Sequence, residues 1–151
     1  MSIRKLLEAQ NIIMELKSAT KEDIIEEMVD RLLANGYIND REAALTAIME
    51  RERKMSTGMQ HGIAIPHGKT TATVGNKLVT ALALKKDGVD FGALDGKPST
   101  IFIMTLSPLN RTGPHIQFLA EISQVLNNPD KREAVLNSQT PQEVLDVLSA
   151  P

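Results

Sequence analysis

The sequence predicts an α/β fold in which a single domain holds a mixed β-sheet with helices on its faces. Amphipathic helical stripes and short apolar runs alternate along the chain, which is the pattern of a sheet flanked by helices. The length of 151 residues fits one hydrophobic core. Hydrophobic residues make up 42% and charged residues 24% of the chain, an ordinary globular composition. We therefore expect one domain over residues 1–151.

The first predicted helix covers residues 20–35. Thr20 has the residue type of an N-cap, Asp23 stands at the matching third position, and Gly36 follows where helix C-termini favour glycine. Its apolar residues recur with helical spacing and predict one buried stripe. That stripe consists of Ile24, Ile25, Met28, Val29, Leu32 and Leu33.

A second helix is predicted to begin at Asn39 or Asp40. Asn39 and Glu42 have the spacing of a capping box, and the last turn of this helix holds Arg51. Four apolar residues are spaced so that they share the face toward the core. They are Ala44, Leu45, Ile48 and Met49.

A loop and a short strand are predicted next. The segment Lys54–Gly62 has two glycines and no hydrophobic period, so it indicates a loop. It leads into the apolar run Ile63–Ile65, which has the character of a buried strand. The tripeptide Pro66-His67-Gly68 is expected to close that strand.

Two longer strands are predicted at Leu78–Leu84 and Thr100–Leu106. Both runs are rich in apolar residues, which is typical of central strands covered on both faces. Asp87-Gly88 and Gly96-Lys97-Pro98 lie between them and indicate turns.

The last part of the chain is expected to be helical. Pro114 suits a first helical turn, which places His115 at a helix N-terminus. Asn128-Pro129 and Thr140-Pro141-Gln142-Glu143 each combine a capping residue with a first-turn proline, so they predict two further short helices. The apolar residues of the helix after Pro114 have helical spacing. They are Ile116, Leu119, Ile122 and Leu126.

Composition argues against several classes of function. The net charge of -2 and the mixing of both signs give no field that gathers nucleic acid or anionic lipid. The absence of cysteine excludes disulfides and thiolate chemistry, and fits a reducing compartment. No apolar stretch approaches the ~18–20 residues of a membrane span. We expect a cytoplasmic protein that binds no nucleic acid and does not insert into a membrane.

Among the histidines, His67 has the most unusual local sequence. Pro66 fixes the backbone that approaches it, and Gly68 leaves one flank open. A histidine nucleophile needs one ring nitrogen free, so the other must be held as a donor, often to a backbone carbonyl. A buried strand supplies partners of that kind, and His67 is therefore our candidate nucleophile.

The string Ser56-Thr57-Gly58 followed by Gly62-Ile63-Ala64-Ile65-Pro66-His67-Gly68-Lys69 resembles the enzyme IIA domain of the bacterial phosphotransferase system, fructose/mannitol type, which includes the nitrogen-regulatory IIA proteins. The stretches Glu50-Arg51-Glu52, Asp95-Gly96-Lys97-Pro98 and Pro114-His115-Ile116 extend this resemblance over essentially the whole chain. It implies that His67 takes a phosphoryl group from the phosphocarrier HPr and hands it to a IIB domain. No cofactor is implied.

The resemblance also assigns two helpers. His115 matches the second histidine of the family, which implies hydrogen bonding to the phosphoryl oxygens at a helix N-terminus. Arg51 matches the arginine of the family, and its planar fork suits the same oxygens. Lys69 and Thr57 flank the motif and rank below Arg51 as phosphate contacts.

Three alternatives remain open on the sequence. His61 departs from the residues common at its position, and we interpret it as a surface residue; with His67 and His115 it makes the weaker hypothesis of a three-histidine metal site. Met55 and Met59 fit either a docking collar or core filling. In the third alternative the protein is a regulator, in which phosphorylation of His67 controls binding to a target protein. The residues of the motif slightly favour this nitrogen-regulatory branch, and so does the lack of a IIB or membrane domain in the 151 residues. Neither observation decides between the two roles.

Overall fold

The structure is a computed structural model and describes residues 3–110 and 113–150. Its helices in chain order are α1 (Ile3–Leu6), a short 3₁₀ helix (Ala9–Asn11), α2 (Lys21–Ala34), α3 (Arg41–Lys54), α4 (Gly113–Leu126), α5 (Pro129–Asn137) and α6 (Pro141–Ser149). Its strands are β1 (Ile12–Ile13), β2 (Ile63–Ala64), β3 (His67–Lys69), β4 (Val79–Val89) and β5 (Ser99–Ser107).

These strands form one mixed sheet, as the sequence predicts. Its order is β1-β4-β5-β2, and β3 also pairs with β5. The long strands β4 and β5 are antiparallel, whereas β1, β2 and β3 each run parallel to the long strand beside them. Since β2 and β3 pair with successive parts of β5, they form one edge that is interrupted between Ala64 and His67.

Helices cover both faces of this sheet. Ala83 and Phe102 point toward the helices α2 and α3, while their neighbours Leu82 and Ile103 point toward α1, α4 and α6. This alternation follows from the two-residue period of a strand. The prediction of central strands that are buried on both faces is therefore confirmed.

The helices α2 and α3 both begin at an N-cap residue of the predicted kind, but the N-cap of α3 needs one correction. Thr20 Oγ1 accepts a hydrogen bond from the Asp23 backbone N–H at 3.3 Å, as predicted. At α3 the cap is Asp40, whose Oδ1 accepts from the Ala43 N–H at 3.1 Å. The capping box predicted from Asn39 is wrong, because Asn39 instead donates its backbone N–H to the Ala72 carbonyl.

The turn predicted at Asp87-Gly88 is also wrong, because β4 continues to Val89. The pairing of β4 with β5 shifts register between Leu84 and Val89, which is an irregularity of the bulge type. Gly88 has φ +80° there, a conformation that glycine adopts without strain. The Asp-Gly signal therefore marks a bend within a strand rather than the end of one.

Further differences concern short elements and exposed residues. The sequence prediction missed α1, the 3₁₀ helix and β1. Each of these elements has only two to four residues, which is too short for a recognisable hydrophobic pattern. Leu33 and Ile116 were predicted to face the core, but they are 37% and 64% exposed. Ile116 lies in the first turn of α4, next to His115, and its exposure leaves an apolar side chain beside that histidine.

Candidate functional site

His67 opens the strand β3 instead of closing β2, which corrects the sequence prediction. Pro66 has no N–H and interrupts the ladder, although its carbonyl still accepts from the Thr105 N–H at 3.1 Å. The Ile65 carbonyl is thereby free to accept from His67 Nδ1 at 2.8 Å. With Nδ1 as the donor, Nε2 of the half-buried ring carries the lone pair.

Gly68 lets β3 pack directly on the helix α3. A Cβ atom at this position would lie 2.9 Å from the Ala47 carbonyl carbon and 3.0 Å from the Ala47 Cβ. A side chain here would therefore push the strand off the helix. The glycine of the Pro-His-Gly motif thus sets how closely β3, and with it His67, approaches α3.

His115 lies over the same face of the sheet. His67 is the β-pairing partner of Thr105, and Thr105 Oγ1 is 3.1 Å from His115 Nδ1. The ring centroids of His67 and His115 are 5.4 Å apart. Since His115 occupies the first turn of α4, the backbone N–H groups of that helix start also lie at this site.

The surroundings of His115 lower its pKa below the ordinary value of 6.5. Burial is the largest cause, followed by electrostatic interaction with His67 and with Lys69. His115 is therefore neutral at pH 7, with one nitrogen that donates and one that accepts. A neutral ring beside a phosphoryl group acts as a hydrogen-bond donor rather than as a cation.

Arg51 lies on the face of α3 that contacts β3, one helical turn after Ala47. Its Nη1 donates to the Met55 carbonyl at 2.8 Å, so the guanidinium caps the C-terminus of α3. The structure thus brings His67 and His115 together, while Arg51 is bound to the adjacent loop. Its role toward a phosphoryl group stays a prediction.

A family model described as "Phosphoenolpyruvate-dependent sugar phosphotransferase system, EIIA 2" matches residues 5–150. The chain belongs to this family. This EIIA chain is 41% identical over 138 residues to the fructose-specific EIIA component of Haloferax volcanii, covering 91% of this chain and 88% of that protein.

Solved structures of two relatives share the fold. The nitrogen regulatory protein IIA-Ntr from Neisseria meningitidis superposes with a TM-score of 0.84 at 26% identity, covering 97% of this chain and 98% of that one. The mannitol IIA enzyme of Escherichia coli, in its complex with phosphorylated IIB, superposes with a TM-score of 0.80 at 26% identity, covering 97% of this chain and all of that one.

His61 is exposed, as predicted, and lies outside the pair of facing histidines. It has a left-handed backbone with φ +64°, and its N–H donates to Asp95 Oδ2 at 3.2 Å. Backbone donors from Lys97 and then His61 lower the pKa of the Asp95 carboxyl. No group of three His, Asp or Glu side chains in residues 3–110 and 113–150 is placed to hold a metal ion.

The remaining motif residues divide into exposed and buried ones. Lys69 is exposed and pairs with Ser107 on the side of the sheet that carries His67. Met55 and Met59 are 67% and 42% exposed, which favours a docking collar over core filling. The Thr57 hydroxyl is buried and donates to Glu52 Oε2 at 2.7 Å, so it faces the interior instead of a phosphoryl group.

Sequence reasoning missed two buried polar residues, Thr105 and Glu52. Thr105 contacts His115 only because β5 pairs with β3, and no local pattern reveals that pairing. Glu52 is almost completely buried although it lies in a Glu-Arg-Glu-Arg-Lys run that indicates a solvated helix end.

No helix among the described residues is both long and apolar enough to cross a membrane.

Proposed function

We propose that His67 of this EIIA chain accepts a phosphoryl group on Nε2 from an HPr-type phosphocarrier and passes it to a IIB domain of the fructose/mannitol type. The observation that carries the proposal is the 2.8 Å hydrogen bond from His67 Nδ1 to the Ile65 carbonyl. That bond leaves Nε2 unprotonated, and Nε2 is therefore the nucleophile. No cofactor takes part in this reaction.

The transfer is an in-line displacement at phosphorus. The Nε2 lone pair forms the new N–P bond, and the electron pair of the breaking N–P bond returns to the imidazole of the donor. Positive charge that develops on the His67 ring is shared through Nδ1–H with the Ile65 carbonyl. Since both donor and acceptor are imidazoles, the reaction is close to thermoneutral.

His115 and Arg51 stabilise the negative charge on the moving group. His115 donates from Nε2 to an equatorial oxygen, at the N-terminus of α4 where anions are favoured. Arg51 exchanges the Met55 carbonyl for the phosphoryl oxygens, a change that rotation of its long side chain allows. The loose transition state of phosphoryl transfer requires this electrostatic support rather than acid-base chemistry.

Exposed apolar side chains near the two histidines serve partner docking. Met55, Leu109 and Ile116 are each more than 60% exposed, and Ile116 adjoins His115 in sequence. A small apolar contact of this kind excludes water from the phosphohistidine and still permits rapid exchange of partners, which bury roughly 1,200 Å² or less in transient complexes. HPr and IIB in turn use this surface, and we place the reaction in the cytoplasm.

The experiment is a two-step transfer. The purified protein receives phosphate from radiolabelled phospho-HPr and is then chased with fructose-type and mannitol-type IIB proteins. The proposal expects one acid-labile phosphoryl group per chain, discharged by at least one IIB protein. A protein that takes up no label from phospho-HPr would refute it.

A regulatory role is the second candidate. Its support is the TM-score of 0.84 with the nitrogen regulatory protein, against which stands 41% identity to a fructose-specific EIIA component. In a regulator, phosphorylated His67 places two negative charges beside the exposed apolar side chains and changes their affinity for a target protein. Label that is accepted from phospho-HPr but retained through every IIB chase favours the regulator.

Arg51→Ala is expected to slow transfer from phospho-HPr by roughly 10- to 100-fold, as befits a charge-assisted hydrogen bond worth about 1.5–3 kcal/mol. Arg51→Lys keeps the charge but loses the paired donors, so its rate should lie between those of alanine and the unaltered protein. Single-turnover transfer measures these rates.

The matched control is Arg53→Ala, two residues away in the same last turn of α3, where Arg53 is exposed. A surface charge contributes at most ~1 kcal/mol, so this control should be close to the unaltered rate. Equal rates for all three variants would place Arg51 outside the reaction.

A further inference from the structure

Glu52 is a buried carboxylate that the proposed reaction does not use. It lies in the last turn of α3 and is 6% exposed. Its Oε1 accepts from the Thr57 N–H at 2.7 Å and from Lys21 Nζ at 2.8 Å, and its Oε2 accepts from the Thr57 hydroxyl at 2.7 Å. Three donors from α2 and the loop after α3 therefore converge on one side chain.

The same contacts lead in two further steps to the reactive ring. The Thr57 carbonyl accepts from the Ile65 N–H at 3.0 Å, and the Ile65 carbonyl accepts from His67 Nδ1 at 2.8 Å. Ile65 belongs to neither β2 nor β3, so the sheet ladder does not fix its peptide groups. These two hydrogen bonds hold it instead, one on each side.

We infer that Glu52 is a positioning residue: together with Lys21 it fixes Thr57, and through Thr57 and Ile65 it holds His67 in the tautomer that leaves Nε2 free. This inference rests on the proposed function of His67. Glu52 itself touches neither the ring nor the phosphoryl group.

The ion pair between Glu52 and Lys21 is better explained by the orientation of Thr57 than by a gain in folding stability. The Glu52 carboxylate loses its hydration on burial, and pairing it with the partly exposed Lys21 gains little net free energy over apolar side chains of the same volume. Lys21 also lies 4.8 Å from the centre of the Phe91 ring, so its ammonium is held on two sides. The arrangement is rigid and directional, which is what an oriented carbonyl requires.

The first variant is Glu52→Gln, which keeps the shape of the side chain. An amide presents one acceptor oxygen and one NH₂ group to donors that need two acceptor oxygens, so the hold on Thr57 weakens. The second variant is Thr57→Val, which removes only the hydroxyl bond and serves if Glu52→Gln fails to fold. Thr57→Ser restores the hydroxyl and should rescue.

Nitrogen-15 NMR of the imidazoles gives the readout, because it reports which nitrogen of His67 carries the proton without any phosphoryl transfer. The unaltered protein should hold the Nδ1–H tautomer. In Glu52→Gln and Thr57→Val a mixture of both tautomers should appear, with kcat for transfer from phospho-HPr lowered roughly 3- to 10-fold and KM for HPr unchanged, as expected for a weakened hydrogen bond.

Ser56→Ala is the matched control, because it removes the two hydrogen bonds of the Ser56 hydroxyl, which donates to the Phe91 carbonyl and accepts from the Gly58 N–H, and leaves the Glu52 contacts in place. It should keep the single tautomer. The inference is overturned if the two test variants keep it too, or if Ser56→Ala mixes the tautomers equally. Failure of the proposed function is a separate result: the tautomers respond as expected, but even the unaltered protein accepts no phosphate.

Discussion

His67→Ala should abolish uptake of an acid-labile phosphoryl group from phospho-HPr. The substitution removes Nε2, and His115 is a poor substitute because its ring is half-buried and its Nδ1 is already in contact with the Thr105 hydroxyl. The fold should persist, since the ring is half-buried and makes one hydrogen bond, worth about 0.5–1.5 kcal/mol. Intact-mass analysis after incubation with phospho-HPr counts the phosphoryl groups.

The matched control for this variant is His61→Ala, which removes a histidine from the exposed loop beside the motif. It should take up one phosphoryl group at the unaltered rate. Thermal unfolding of both variants tests whether the fold is retained. A His67→Ala protein that still accepts one phosphoryl group would refute the assignment of the nucleophile.

His115→Ala should slow single-turnover transfer by about 100-fold while HPr still binds, a loss comparable to that of one oxyanion-hole donor. The neutral ring donates from one nitrogen only. When the Thr105 hydroxyl donates to Nδ1, the ring proton lies on Nε2 and faces the phosphoryl group. The rate loss should be the same at pH 7 and pH 8, because the pKa of His115 lies below both.

Thr105 offers a check on that reasoning. Thr105→Val removes the hydroxyl at nearly constant volume and should slow transfer in the same direction as His115→Ala, by a smaller factor. Thr105→Ser keeps the hydroxyl and should recover most of the rate. If His115 alone became phosphorylated in the His67→Ala protein, the roles of the two histidines would be reversed.

Local sequence patterns predicted the parts of the fold that short-range physics decides. The cap at Thr20 and the strand core around Ile101 follow from residue type and spacing within a few positions. Asp40 replaced Asn39 as a cap because Asn39 gives its backbone N–H to Ala72, a contact that depends on the tertiary fold. Gly88 gave the signal of a turn because the same left-handed backbone serves a bulge.

The residues of the site likewise divide into those that the local sequence reveals and those that depend on tertiary contacts. The Pro-His-Gly motif identifies His67 because proline frees the Ile65 carbonyl and glycine permits the approach to α3, both within one residue of the histidine. The support from Thr105 depends on pairing between β3 and β5, which are far apart in sequence. Glu52 was missed for a different reason: the charged run around it indicates a solvated helix end, and its burial depends on the ion pair with Lys21 and the two hydrogen bonds from Thr57.

The central claim is that His67 Nε2 carries the phosphoryl group. Phosphorus-31 and nitrogen-15 NMR of the protein after transfer from phospho-HPr locates the N–P bond on one nitrogen of one histidine. We expect a single phosphoryl group on Nε2 of His67, with Nδ1 still protonated and bound to the Ile65 carbonyl. A phosphoryl group on Nδ1 of His67, on His115 or on His61 would contradict it.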